Sequence, residues 1–235
     1  MSSLLRQRQR QNILFLAFCC ALLFFQVTAQ AGSPQSGSPK PNLKKRTSAI
    51  SLNAQEQQTV QKKKVLVRER STKGKPGKIF EAVAIMEANR KIIQNIALDY
   101  ASYPDFMPNV SRVDILQQED TTALLNYTFS LPLGKIKKYR VRMKASEPDD
   151  QTSLIQWQLE KWPSLKPEET IRDTNGFWRI EELDTKRSLV LYHVYTDPGK
   201  IPFGLGWIID LLGKDSVPEV LSKTKERAEK NKRLE

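Results

Sequence analysis

The chain has 235 residues, 38 Lys and Arg against 26 Asp and Glu, a net charge of +12 and 39% hydrophobic residues. That length suits one or two domains. Its two cysteines, Cys19 and Cys20, lie in an N-terminal apolar run, so a disulfide framework, a thiolate metal site and a cysteine nucleophile are excluded once that run is removed.

The N-terminus carries Arg6, Arg8 and Arg10, then an apolar run from Ile13 to Phe25, then Ala29-Gln30-Ala31 before Gly32. This is the order of a secretory signal peptide over residues 1–31: basic head, short apolar middle, A-x-A exit. The run is shorter than the roughly 20 residues that span a bilayer as a helix. An uncleaved membrane anchor is the second reading. Phe18 before Cys19 argues against a lipid-attachment site. Export to the periplasm or outside the cell is the expected location.

The positive charge is local. Residues 32–78 carry 12 Lys and Arg against Glu56 and Glu69, whereas 79–235 carry 23 basic and 24 acidic residues. Residues 32–62 therefore read as a basic, disordered linker, rich in Ser, Pro, Gln and Lys. A helix from Asn53 to Lys62 has no apolar face to support it. Clusters such as Lys44-Lys45-Arg46 and Lys62-Lys63-Lys64 could lean on an anionic membrane. No aromatics are interleaved with them, so nucleic acid is not an expected partner.

From residue 63 the pattern is that of a folded domain running to 235. Residues 64–70 and 79–87 alternate apolar and polar positions around a turn holding Gly74, Pro76 and Gly77, which predicts a hairpin. Asn89 is placed to cap a helix whose inner positions are Ile92, Ile93, Ile96, Ala97 and Tyr100, and Pro104 should stop it. Phe106 and Met107 follow as inward plugs. Strands are expected at 110–117, 121–131, 136–145, 153–162, 177–183 and 189–196, joined by turn chemistry such as Glu147-Pro148-Asp149-Asp150. The polar stretch 163–175 reads as a loop over an opening. Residues 189–195 are apolar on both faces, so their register is open. A short apolar helix at 203–212 and a helix starting at Ser216, with Pro218 in its first turn, end the chain. The fold class is α+β: a curved antiparallel meander of about six to eight strands, wrapped on a long C-terminal helix that covers its apolar face and encloses a hydrophobic cavity.

Three stretches resemble a known superfamily: Glu87 to Val110 with its Tyr103-Pro104-Asp105-Phe106-Met107-Pro108-Asn109 segment, Gly176-Phe177-Trp178-Arg179-Ile180, and Tyr192 to Pro202 with Asp197-Pro198-Gly199. Together they are similar to the START-like, helix-grip (SRPBCC) superfamily. It includes lipid-transfer START domains, the birch-pollen-allergen fold, aromatic polyketide cyclases and coenzyme Q-binding START-like proteins. The resemblance covers roughly residues 63–230. It implies a deep cavity for a hydrophobic ligand and fixes no chemistry.

Catalytic constellations are thin. The single histidine, His193, has no carboxylate at ligand spacing, and no metal site or cofactor motif is expected. No G-x-S-x-G elbow and no phosphate loop is present. The expected cavity residues are Phe106, Met107, Tyr127, Phe129, Tyr139, Trp157, Trp178, His193 and Trp207. The expectation is a monomeric binder or carrier of a hydrophobic small molecule: a lipid, a quinone or a polyketide-like compound. Two alternatives stay open. One is a cyclase or hydrolase using His193 or a tyrosine such as Tyr139 for acid–base work; the other is an interaction domain with a filled core.

Overall fold

The structure is a computed structural model that describes residues 48–199 and 211–231. Helix α1 (Ala54–Gln61) leads into strands β1 (Leu66–Arg70) and β2 (Lys78–Met86). Helix α2 (Arg90–Leu98) and the short α3 (Tyr103–Phe106) follow. Strands β3 (Val110–Gln118), β4 (Thr122–Leu131), β5 (Lys135–Asp149), β6 (Thr152–Glu160), β7 (Asp173–Asp184) and β8 (Arg187–Asp197) precede helix α4 (Ser216–Asn231). The strands form one antiparallel sheet in the order β1-β2-β8-β7-β6-β5-β4-β3. The meander β3 to β8 thus meets the first hairpin through the β2–β8 pair, with Ala82 opposite Tyr192 and Ala84 opposite Val190. Helix α4 lies over β2 and α2. This is the expected helix-grip arrangement.

Alternation explains the layers. On β2, Phe80, Ala82, Ala84 and Met86 face the helices, where they join Ile93 and Ile96 of α2 and Val217, Leu221 and Ala228 of α4 in the main core. Leu221 and Ile93 are fully buried there. The other face of the same strand carries Val83 and Ile85, and β8 adds Leu189 and Leu191. Both faces of these strands are apolar because both are covered.

The cover of the outer face comes from residues expected in the linker. Residues 48–62 do not behave as one: Ile50 and Val60 are buried against Val83, Leu189 and Leu191. Helix α1 exists because its N-terminus is closed reciprocally. Asn53 Oδ1 accepts from Glu56 N at 2.9 Å, and Glu56 Oε2 accepts from Asn53 N at 2.9 Å. A single buried valine holds the helix down, which is why no apolar stripe announces it. Ser48 Oγ donates to Glu181 of β7, which fixes the start of the strap. The rest of the expected linker and the whole of residues 1–31 lie outside the described residues, as does most of the expected 203–212 helix.

Pro104 does not stop a helix. Helix α2 ends at Leu98, Tyr100–Ser102 form a 3-10 turn, and Pro104 sits in the first turn of α3, where its missing N–H has no partner to lose.

His193 belongs to this outer face. Its Nδ1 lies 3.1 Å from Glu81 Oε1, and Phe177 stacks on its ring with centroids 4.8 Å apart. Arg70 Nε donates to Glu81 Oε2 at 2.8 Å, and Arg68 reaches Glu81 at 3.3 Å while gripping Glu56 of α1 with two bonds of 2.7 Å. The hydrogen bond from His193, then those from Arg70 and Arg68, hold the Glu81 carboxyl down at about 2 against the opposing effect of burial. A carboxyl depressed in the folded state stabilises the fold above its unfolded value of 4.5 and loses that contribution as pH falls from there toward 2. Glu81→Gln is therefore expected to flatten the acid limb of stability by roughly 1–2 kcal/mol, less than full linkage because these pairs reach solvent. Urea midpoints at pH 7, 4 and 3 for both proteins check it; parallel acid limbs would refute it.

Candidate functional site

Between the sheet and the first turns of α4 is a cavity of about 590 Å3. That volume lies within the range of small-molecule sites. It occupies the part of the concave face that α2 does not fill, since α2 packs on β6 and β7. The wall is built by alternation: Tyr127 and Phe129 come from β4, Tyr139, Val141 and Met143 from β5, and Trp157 from β6. Strand β7 adds Thr174 and Trp178, and β8 adds Tyr192, Val194 and Thr196. Helix α4 closes it with Ser216, Val217 and Val220, and Met107 and Pro108 plug one side. Asn109, in left-handed backbone conformation at φ 62°, donates through Nδ2 to Ser216 Oγ at 2.9 Å and ties the plug to α4.

One glycine sets the shape. Gly176 on β7 pairs with Trp157 on one side and Val194 on the other. A Cβ there would stand 2.2 Å from the His193 carbonyl oxygen and 2.3 Å from Trp157 Cζ2. The indole can lie across β7 because no side chain is in the way. It then stacks on Tyr192, with centroids 5.5 Å apart.

Among the described lining residues charge is confined to one end. Lys135, Lys137 and Glu168 are the charged groups among the described lining residues. Lys137 Nζ donates to the Glu168 and Thr170 carbonyls at 2.8 Å each, and Lys138 N donates to the Glu169 carbonyl at 2.8 Å. These bonds pin residues 163–172 across the start of β5, with Ile171 turned into the cavity; the expected loop ends three residues early because β7 begins at Asp173. Ile136, 54% exposed, lines this end too, and Leu133, 75% exposed, lies in the turn between the lining residues Leu131 and Lys135. Deeper in, the polar groups include the phenols of Tyr127, Tyr139 and Tyr192 and the Trp178 indole. Burial pushes the hydroxyls of Tyr127, Tyr139 and Tyr192 above their usual value, so they are neutral at physiological pH.

Of the expected cavity residues, Met107, Tyr127, Phe129, Tyr139, Trp157 and Trp178 meet around this space. Phe106 does not line it: its ring meets Tyr103 edge-on at 5.7 Å, with the Arg227 guanidinium 4.8 Å above. His193 does not either, because inward Tyr192 and Val194 flank it and the strand period is two. Trp207 lies outside the described residues. Tyr192 and Tyr103 were missed. The register Trp178↔Tyr192 would have revealed Tyr192, but a strand apolar on both faces hides which parity points inward. An acid–base role for His193 toward a cavity ligand is thus removed by geometry. Among the described residues no group of three or more His, Cys, Asp or Glu could hold a metal ion.

The sequence matches the family model described as polyketide cyclase / dehydrase and lipid transport over residues 95–221, more than half of the chain. A search of curated proteins finds no match. Among solved structures, a STAR-related lipid transfer protein fragment from Xanthomonas axonopodis is similar, with a TM-score of 0.59 and 18% identity over 70% of this chain and 93% of that one. Human STARD10 gives 0.60 and 15% over 72% and 71%. Human StAR-related lipid transfer protein 5 gives 0.58 and 14% over 72% and 83%. At these identities the structures speak for the fold alone, and the sequence match carries the assignment: the chain belongs to the polyketide cyclase / dehydrase and lipid transport family.

Proposed function

We propose that the protein encloses, and carries, an uncharged hydrophobic small molecule of the lipid, quinone or polyketide-like kind, and that it works outside the cytoplasm. The observation that carries this reading is the aromatic cavity of about 590 Å3 whose charged residues stand at one end. Apolar burial would drive binding at roughly 25 cal/mol per Å2 before ordering costs. Family membership supports the same reading, because its description joins lipid transport to cyclase chemistry. No carboxylate or imidazole lies among the described lining residues apart from Glu168, at the charged end, which favours binding over catalysis. Export rests on Arg6, Arg8 and Arg10, the apolar run and the Ala29-Gln30-Ala31 exit. At the rim, exposed Leu133 and Ile136 beside Lys135 suit contact with an anionic lipid surface during exchange, and the basic residues before 48 would add to it.

Native mass spectrometry of the protein purified from a lipid-rich extract tests this. A hydrophobic adduct of one stoichiometry on a monomer is expected. A clean apo mass, with no thermal shift against lipids or quinones, would end the carrier reading.

A further inference from the structure

We propose that the occupant of the cavity is an uncharged ring compound bearing carbonyl oxygens, which enters with its oxygen-bearing part foremost and is held there by tyrosine hydroxyls. This rests on reading the cavity as a binding site.

Hydrogen-bonding capacity left over in the wall points to it. Tyr103 shows a satisfied phenol in this core: its hydroxyl donates to the Ala97 carbonyl at 2.6 Å. Tyr127 is only 7% exposed, and its hydroxyl has no such partner among the described residues. The same is true of Tyr139, Tyr192 and the Trp178 indole N–H, although Trp178 is only 2% exposed. None of these atoms is sealed in. Among the described residues, Arg90 Nε is the one closed-off side-chain polar atom without a partner. The phenols and the indole therefore open onto the cavity they line.

An indole only donates, and a phenol can do so. A carbonyl oxygen, with two lone pairs and no proton, complements both. A hydrocarbon would leave these donors without partners in a dry site, at a cost of about 1–3 kcal/mol for each group. Among the described lining residues a carboxylate or phosphate would find no cation beside them, since Lys135 and Lys137 stand at the charged end.

The placement gives the orientation. On β5, Tyr139 lies two residues inward from Lys137, about 7 Å along the strand. On β8, Tyr192 lies four residues inward from Thr196, a lining residue near the end of the strand, about 13 Å. A fatty acid would leave its head at the lysines; the donors instead draw oxygens inward. They stand in two groups. Tyr127 and Tyr139 lie side by side, with centroids 5.5 Å apart and planes within 11°, and Tyr192 sits 4.5 Å from Trp178. Oxygens spread over a rigid ring can reach both groups at little ordering cost.

The test uses 9-fluorenone and fluorene, one ring skeleton with and without a carbonyl, with palmitate as a third probe. Fluorene is the more hydrophobic, so a purely apolar cavity would prefer it. The expected result is the reverse order, with fluorenone at least tenfold tighter. Fluorenone carries one carbonyl and reaches one donor group, so at least one of Tyr139→Phe and Tyr192→Phe, each of which keeps its ring, should weaken it three- to tenfold, and both should leave fluorene unchanged. Equal binding of the two probes, or variants that weaken both alike, would overturn this inference while the carrier reading stood. If fluorenone, fluorene and palmitate all fail to bind, the carrier reading falls, and this inference with it.

Discussion

A chain that begins at residue 63 is expected to melt about 10–20 °C below one that begins at residue 48. The shorter chain lacks Ile50 and Val60, which are 4% and 3% exposed in the fold. It also uncovers Val83, Leu189 and Leu191 on the outer face of β2 and β8. Burying one such side chain contributes roughly 1.5–3 kcal/mol, so the loss is about 5 kcal/mol, comparable with the total stability of many domains. Arg68 would lose its two bonds to Glu56, and Glu181 its bond from Ser48. A thermal melt of both chains settles the matter, with Ile50→Ala/Val60→Ala in the longer chain as a milder version. Matching midpoints would show that the strap adds nothing.

Gly176→Ala is expected to cost about 3 kcal/mol and to abolish ligand binding, two effects from one methyl group. The new Cβ would stand 2.2 Å from the His193 carbonyl oxygen, a backbone atom inside the β7–β8 ladder that cannot swing away. It would also stand 2.3 Å from Trp157 Cζ2. Either the strands part or the indole leaves β7 and turns into the cavity, losing its stack on Tyr192. Gly74→Ala is the control. Nothing lies within 4 Å of its added Cβ, and its φ of +84° adds local strain of about 1 kcal/mol. Its ligand affinity should equal that of the parent. Fluorenone titrations and urea midpoints on both variants distinguish the outcomes. Wild-type affinity in Gly176→Ala would show that the Trp157 seat does not set the cavity shape.

Features that depend on local chemistry and period were legible in the amino-acid order. Alternation along Tyr139, Val141 and Met143 placed those side chains on one face, and the structure puts them on the cavity wall. Asn89 caps α2 because a side-chain oxygen three residues before Ile92 N needs no distant partner. The family's Asp-Pro-Gly and Gly-x-Trp stretches likewise lie within single segments. Pairing between distant segments settles which of two equivalent faces points inward and which weak segment is held by others. His193 and Tyr192 are neighbours on a strand apolar on both sides, and pairing with β2 and β7 turned Tyr192 to the ligand and His193 to Glu81. Helix α1 has one buried valine and reads as linker, yet the bare apolar face of β2 and β8 supplies the surface that orders it. Phe106 reads as a plug, but its ring is drawn to Tyr103 and to Arg227, which lies 121 residues later in the chain. In each case the deciding free energy belongs to a contact between segments remote in sequence, and no local pattern encodes such a contact.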